Sequence, residues 1–96
     1  MMIISKKEIY IGEISNGIRN GFGVYFERKN KKEHKYIMTY NGFWVDDKRS
    51  GNGFQLWGDT LLRYKGEWDN DTYNGKGIWY GSRKERKIGN YKKNKP

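Results

Sequence analysis

The sequence predicts an all-β fold of repeated hairpins, and three observations predict it. The first is a register. A unit Tyr-x-Gly-x-Trp, followed after six intervening residues by Gly-x-Gly, occurs twice in full, as Tyr40, Gly42, Trp44, Gly51, Gly53 and as Tyr64, Gly66, Trp68, Gly75, Gly77. An earlier copy reads Tyr10, Gly12, Ile14, Gly21, Gly23, and a partial last copy reads Lys87, Gly89, Tyr91. The lone glycine precedes the glycine pair by nine residues in all three longer copies, and a spacing kept this way marks an array of small supersecondary units. The second observation is composition. Four Trp, eight Tyr, four Phe and thirteen Gly stand beside three Leu and no Ala, a profile that suits pleated strands and turns and starves helices. The third is alternation: each Gly-x-Gly is followed or interleaved by apolar residues at every second position, the period of a strand.

The elements follow in chain order. The first unit spans about 10–26. Its outgoing strand carries Tyr10, Gly12 and Ile14 on one face, and its return carries Phe22, Val24 and Phe26 on the other. The step from Tyr10 to Tyr40 is 30 residues against 24 from Tyr40 to Tyr64, and the extra residues fall in the polar stretch from Glu27 to Lys35. This insert reads as a protruding hairpin tip, a solvated loop or a binding finger. After it His34, Tyr36, Met38, Tyr40 and Trp44 share one parity, which predicts a long strand into the second unit, about 40–57. The third unit spans about 64–80, and the partial copy 87–91 lies within a basic tail, 83–96. All of it is expected to form one domain, 1–96.

Within each unit six residues rich in Asp, Asn, Lys and Ser, such as Asp46 to Ser50, read as a hairpin loop. Glycine weakens a strand, so its repetition needs a reason. A strand bare at two positions leaves room for the Tyr and Trp of a neighbouring strand to lie flat on its backbone, burying the indole without a second sheet. The opposite parity then gathers Phe22, Val24, Phe26, Phe43, Phe54, Leu56, Ile78 and Tyr80 on the other face. One sheet does not bury both faces, and an exposed apolar face marks a partner site.

The pattern resembles the MORN (membrane occupation and recognition nexus) repeat, whose consensus is close to Tyr-x-Gly-x-Trp with a following Gly-x-Gly. The resemblance runs from Tyr10 to Tyr91. It implies stacked β-hairpins in an elongated, twisted, single-layer antiparallel sheet. Ile14 in the first unit and Lys87 and Tyr91 in the last depart from the consensus, as terminal, capping repeats do.

Net charge is +9, with +6 concentrated in residues 83–95 and +3 in the insert. The candidate partner-binding or lipid-binding cations are therefore Lys29, Lys31, Lys32 and Lys35, together with Arg83, Lys84, Arg86, Lys92 and Lys93. Each basic side chain near an anionic bilayer contributes about 1 kcal/mol, so the tail alone would bind weakly and reversibly, between roughly millimolar and micromolar. A basic, aromatic-rich sheet could also stack single-stranded nucleic acid. That reading is disfavoured, because the Tyr and Trp are needed for packing and no nucleic-acid-binding motif is legible.

Catalytic signals are poor. Asp46-Asp47 and Asp69 with Asp71 read as turn formers, with nothing to bury them and raise a pKa. Asp69-Asn70-Asp71 opens like a calcium loop, but Asn74 and Tyr80 stand where that loop needs Gly and Glu. The Gly-x-Gly pairs lack the third glycine of a dinucleotide fingerprint, and His34 is the sole histidine. No catalytic residue, cofactor or metal is expected. The absence of cysteine, the short apolar start from Met1 to Ile4 and the lack of a membrane-spanning run predict a cytoplasmic protein, peripheral to a membrane if the basic clusters bind one. The reading is a non-enzymatic module for protein–protein interaction or scaffolding, with a homodimer among its possible assemblies. The alternatives are an adaptor for anionic phospholipid and a small inhibitor or regulator docking on an enzyme.

Overall fold

A computed structural model describes residues 2–28, 36–57, 62–81 and 83–92. Every regular element is a strand: β1 Met2–Ser5, β2 Glu8–Ser15, β3 Ile18–Glu27, β4 Ile37–Val45, β5 Lys48–Leu56, β6 Arg63–Asp69, β7 Thr72–Tyr80 and β8 Arg86–Tyr91. They pair antiparallel in sequence order to form one open sheet, 35 × 31 × 15 Å in extent. The all-β, single-layer expectation therefore holds. β2–β3, β4–β5 and β6–β7 are the hairpins of the three longer copies, and β8 carries the partial one. β1 was not anticipated; it pairs with β2 through Met2↔Tyr10 and Ile3↔Ile9.

The expected six-residue loops are in fact two-residue turns. Asn16-Gly17, Asp46-Asp47 and Asn70-Asp71 all have positive φ, from 48° to 79°. Two consecutive residues of that kind match the right-handed twist of the flanking strands, which is why the tightest hairpins use them. Lys48, Arg49 and Ser50 accordingly belong to β5, and Asp69 to β6.

A line of glycines crosses seven of the eight strands. Gly12, Gly23, Gly42, Gly53, Gly66, Gly77 and Gly89 are each paired with the next. The space above them is filled by tyrosine. A Cβ on Gly23, Gly53 or Gly77 would lie 2.1, 2.0 or 2.1 Å from the hydroxyl of Tyr10, Tyr40 or Tyr64. A Cβ on Gly42 would lie 2.5 Å from the Cα of Gly53, so here the backbone itself excludes a side chain. The first glycine of each pair has a different task. Gly21, Gly51 and Gly75 have φ of 107°, 74° and 108°, at the register shift that follows each turn.

The core is one layer of rings. Tyr10, Tyr40 and Tyr64 are 0%, 1% and 0% exposed, and Trp44, Trp68 and Tyr91 are also buried. They form a continuous edge-to-face ladder: Tyr10–Trp44 at 5.7 Å, Trp44–Tyr40 at 4.9 Å, Tyr40–Trp68 at 5.4 Å, Trp68–Tyr64 at 5.4 Å and Tyr64–Tyr91 at 5.3 Å. Such contacts add about 0.5–1.5 kcal/mol each beyond area burial. The polar ends are satisfied. Tyr10, Tyr40 and Tyr64 donate their hydroxyls to the carbonyls of Glu13, Phe43 and Glu67, and Trp44 and Trp68 donate Nε1–H to the carbonyls of Gly23 and Gly53. Burial raises the Tyr40 and Tyr64 phenols, the latter to about 12, so both remain neutral donors near neutral pH. Tyrosine, not the indole, lies over glycine; the expectation that both would is corrected. Each indole stands on edge between two tyrosines, one from its own repeat and one from the repeat before.

The shared parity expected for the strand into the second unit also needs correction. β4 begins at Ile37, and a register shift sets Tyr25 against Tyr40 but Phe26 against Met38. Thr39 is the extra residue, buried, with its hydroxyl donating to the Tyr25 carbonyl. The bulge reverses parity, so Met38 does not share a face with Tyr40. Residues 29–35, which include His34, lie outside the described residues. The ends of the insert fold against the β1–β2 turn: Arg28 N–H donates to the Lys7 carbonyl, and the Tyr36 hydroxyl to the Lys6 carbonyl.

Candidate functional site

The two faces of the sheet differ in what they leave available. On the tyrosine face the rings are covered by arginine. Arg19 lies 4.2 Å from the Trp44 ring centroid, and Arg49 4.5 Å from that of Trp68. Each guanidinium reaches the turn of the following repeat. Arg19 Nε meets Asp47 Oδ1 at 2.5 Å and Arg49 Nε meets Asp71 Oδ1 at 2.7 Å. The turn amides return the bond, Asp47 N–H to the Arg19 carbonyl and Asp71 N–H to that of Arg49. This explains why Asp, not Gly, occupies the second left-handed position of two turns. In the first repeat Gly17 stands there.

The clamp has a pH signature. The Asp47 carboxyl is held below the usual aspartate range by the Arg19 side-chain hydrogen bond. For Asp71 burial acts upward, but backbone and side-chain hydrogen bonds from Arg49 outweigh it, and the net shift is again downward. A carboxyl depressed on folding stabilises the fold above its unfolded value, about 3.9, and that stabilisation is lost as pH falls through the folded-state value. Thermal melts are therefore expected to drop below about pH 4. The double variant Asp47→Asn, Asp71→Asn should melt lower at pH 7 and lose less on acidification. The half-exposed carboxylates limit each pair to about 1 kcal/mol.

The other face exposes apolar side chains among the described residues. Pairing sets Phe22 against Phe43, Val24 against Asn41, Asn41 against Phe54, Phe54 against Lys65, Lys65 against Ile78 and Ile78 against Ile88. Phe22, Phe43 and Ile88 are 44%, 47% and 71% exposed. Between these rows the bare glycine line forms the floor of an open trough of about 880 Å³, running from Phe22 to Ile88. Its walls add Asn52, Lys76, Tyr80 and Asn90.

One position, the residue after the lone glycine, breaks the internal symmetry. Between the lone glycine and the Trp position, the first and third repeats carry Glu13 and Glu67, whose carboxylates accept from the N–H groups of Phe22 and Lys76. The middle repeat has Phe43 there. It supplies no such hydrogen bond and instead packs on Phe22, ring centroids 5.5 Å apart. The carboxylate that braces the return strand in the first and third repeats is thus replaced in the middle repeat by an exposed aromatic ring.

A family model described as "MORN repeat" matches residues 10–27, 40–60 and 64–83, more than half of the chain. The chain belongs to the MORN repeat family. MORN repeat-containing protein 3 of Xenopus laevis is 40% identical over 48 residues, which are 50% of this chain and 20% of that relative. The chain thus spans about a fifth of the relative's length. MORN repeats are in general protein- or membrane-interaction modules and non-enzymatic. Among the described residues no group of His, Cys, Asp and Glu could hold a metal, and no helix is long and apolar enough to cross a membrane.

The MORN motif positions lie in the ladder, the glycine line and the register shifts, on or within the tyrosine face. The candidate cations fall elsewhere. Lys29, Lys31, Lys32, Lys35 and Lys93 lie outside the described residues. Arg83 and Lys84 sit on the exposed turn before β8, while Arg86 and Lys92 bound β8 itself. None of these four lines the trough. Sequence reasoning missed Arg19 and Arg49, although Arg-x-Gly-x-Gly recurs at Arg19–Gly23 and Arg49–Gly53; Tyr73, stacked on Tyr64 at 4.4 Å, replaces it in the third repeat. It also missed Lys65 and Lys76, which carry no motif.

Proposed function

We propose that this chain is a non-enzymatic protein-interaction module that docks a partner on the face opposite the tyrosine ladder. The observation that carries this reading is Phe43. An exposed aromatic ring occupies the position where the other repeats place a bracing glutamate, beside a second exposed ring, Phe22, at the end of a glycine-floored trough. Contiguous exposed apolar surface of this kind is characteristic of binding faces, and aromatic anchors dominate binding energy where they become buried. The burial of Tyr10, Tyr40, Tyr64, Trp44 and Trp68 also leaves few free ring faces for nucleobases.

Phe43→Ser is expected to leave the melting temperature within a few degrees, since Phe43 is half exposed, while weakening partner binding by about 2 kcal/mol or more, roughly thirtyfold. The measurement compares stoichiometric partner recovery from the source cells by the wild type and by the variant. Equal recovery by a folded variant would remove this face from the interaction. A second reading, attachment to anionic phospholipid, draws support from the exposed run Arg83, Lys84, Arg86 and Lys92 along one edge of the sheet. It requires flotation on acidic vesicles that falls with salt and with Arg86→Glu plus Lys92→Glu. Flotation independent of lipid charge would exclude it.

A further inference from the structure

We propose that the trough takes an acidic apolar protein segment, one combining bulky hydrophobic side chains with a carboxylate, and that Lys65 and Lys76 read the carboxylate. The proposal rests on the docking reading above and names the chemistry of the occupant.

The argument starts from register. Lys65 precedes Gly66 and Lys76 precedes Gly77, and these glycines face each other on antiparallel strands. The two lysines therefore fall on opposite sides of the glycine floor, one on each wall. Same-face residues flanking a glycine are about 7 Å apart along a strand, so a carboxylate lying on the floor between them would have an ammonium on either side. Among the described residues, those lining the trough include these two lysines and three asparagines, Asn41, Asn52 and Asn90, and no Asp or Glu. Among the described residues neither lysine makes an ion pair, because the two pairs present are Arg19–Asp47 and Arg49–Asp71. Glu67 of β6 is not among the residues lining the trough, and its carboxylate accepts from the Lys76 main-chain N–H at 2.7 Å.

Charge along the trough is polarised. Phe22 and Phe43 stand side by side on one wall at the β3–β4 step, and Lys65 and Lys76 face each other across the floor at the β6–β7 step, three strand spacings or roughly 14 Å away. A complementary segment places an aromatic or aliphatic anchor at one end of that span and Asp or Glu at the other. A second copy of this chain fits poorly, because it would bring a further +9 and its own trough lysines to the same surface.

The test is selection of displayed random peptides on the full chain, on Lys65→Glu/Lys76→Glu, and on Phe43→Ser. Both lysines are exposed, so the charge-reversed chain should keep its melting temperature, which is checked first. Peptides selected on the wild type are expected to be enriched in Asp or Glu together with Leu, Phe or Trp. Their affinity should fall about tenfold or more on Lys65→Glu/Lys76→Glu, and selection on that variant should return Lys or Arg in place of the acid. Peptides that depend on Phe43 but lack acidic enrichment would overturn the acidic-segment inference and leave the docking reading standing. A selection yielding no Phe43-dependent peptide would overturn both. Recruitment of phosphatidylserine vesicles or self-association through the two lysines, with no peptide selected, would equally overturn the acidic-segment inference.

Discussion

A Gly42→Ala chain is expected to lose its cooperative unfolding transition, whereas Gly89→Ala should melt at the same temperature or slightly higher. The two glycines occupy the same place in their repeats and the same line across the sheet. They differ in what faces them. A methyl group at Gly42 would meet the Cα of Gly53 at 2.5 Å, the Asn52 carbonyl at 2.6 Å and the Tyr40 hydroxyl at 2.7 Å. Two of these are backbone atoms of a hydrogen-bonded neighbour and have nowhere to go. Overpacking ordinarily costs about 1–3 kcal/mol, but here relief requires parting β4 from β5 in the middle of the array. At Gly89 a methyl group meets nothing within 4 Å, and alanine reduces the entropy of the unfolded chain, worth about 0.4–1 kcal/mol. Circular dichroism melts of both variants check the contrast. Equal destabilisation would show that the glycine line acts through strand propensity and not through close approach.

Tyr40→Ala is expected to destabilise the fold by about 3–5 kcal/mol, the range for removing a large buried ring. For a domain of this size that is a drop of more than about 15 °C in melting temperature. Tyr40 is the central rung. It touches Trp44 of its own repeat and Trp68 of the next, covers Gly53, and is nearly inaccessible to solvent. A single-layer sheet has no second layer to close over the cavity, so water enters beside both indoles and their separation divides the array in two. Tyr40→Phe keeps the ring and loses only the hydroxyl's bond to the Phe43 carbonyl, for about 1 kcal/mol. Urea titration separates the two variants. A Tyr40→Ala loss no larger than that of Tyr40→Phe would mean the ladder is not the core.

Much of this arrangement was legible in the residues. Tyr40, Gly42 and Trp44 alternate as a strand requires, and the nine-residue step to Gly51 places the return at a constant register, so hairpins and faces could be assigned by parity alone. Where parity failed, a local irregularity intervened. The extra residue Thr39 turned Met38 to the other face, and the post-turn register shifts gave Gly21, Gly51 and Gly75 a conformational task that spacing does not distinguish from the packing task of Gly23, Gly53 and Gly77. The turns were overestimated because polar residues such as Lys48 and Asp69 are as compatible with an exposed strand position as with a loop. β1 was missed because four residues carry too little pattern.

The class of fold, the repeat, the strand faces and the identity of the packing residues follow from the residue pattern, because they depend on contacts between neighbouring strands that share one period. Which side chains meet across repeats depends on how the hairpins dock. Arg19 and Asp47 are 28 residues apart and Arg49 and Asp71 are 22 apart, and each pair forms only when one hairpin's turn docks on the hairpin before it. Lys65 and Lys76 look like ordinary surface lysines in the sequence. The register of β6 on β7 sets them on opposite walls of a glycine floor, because antiparallel strands carry residues that precede their glycines to opposite sides.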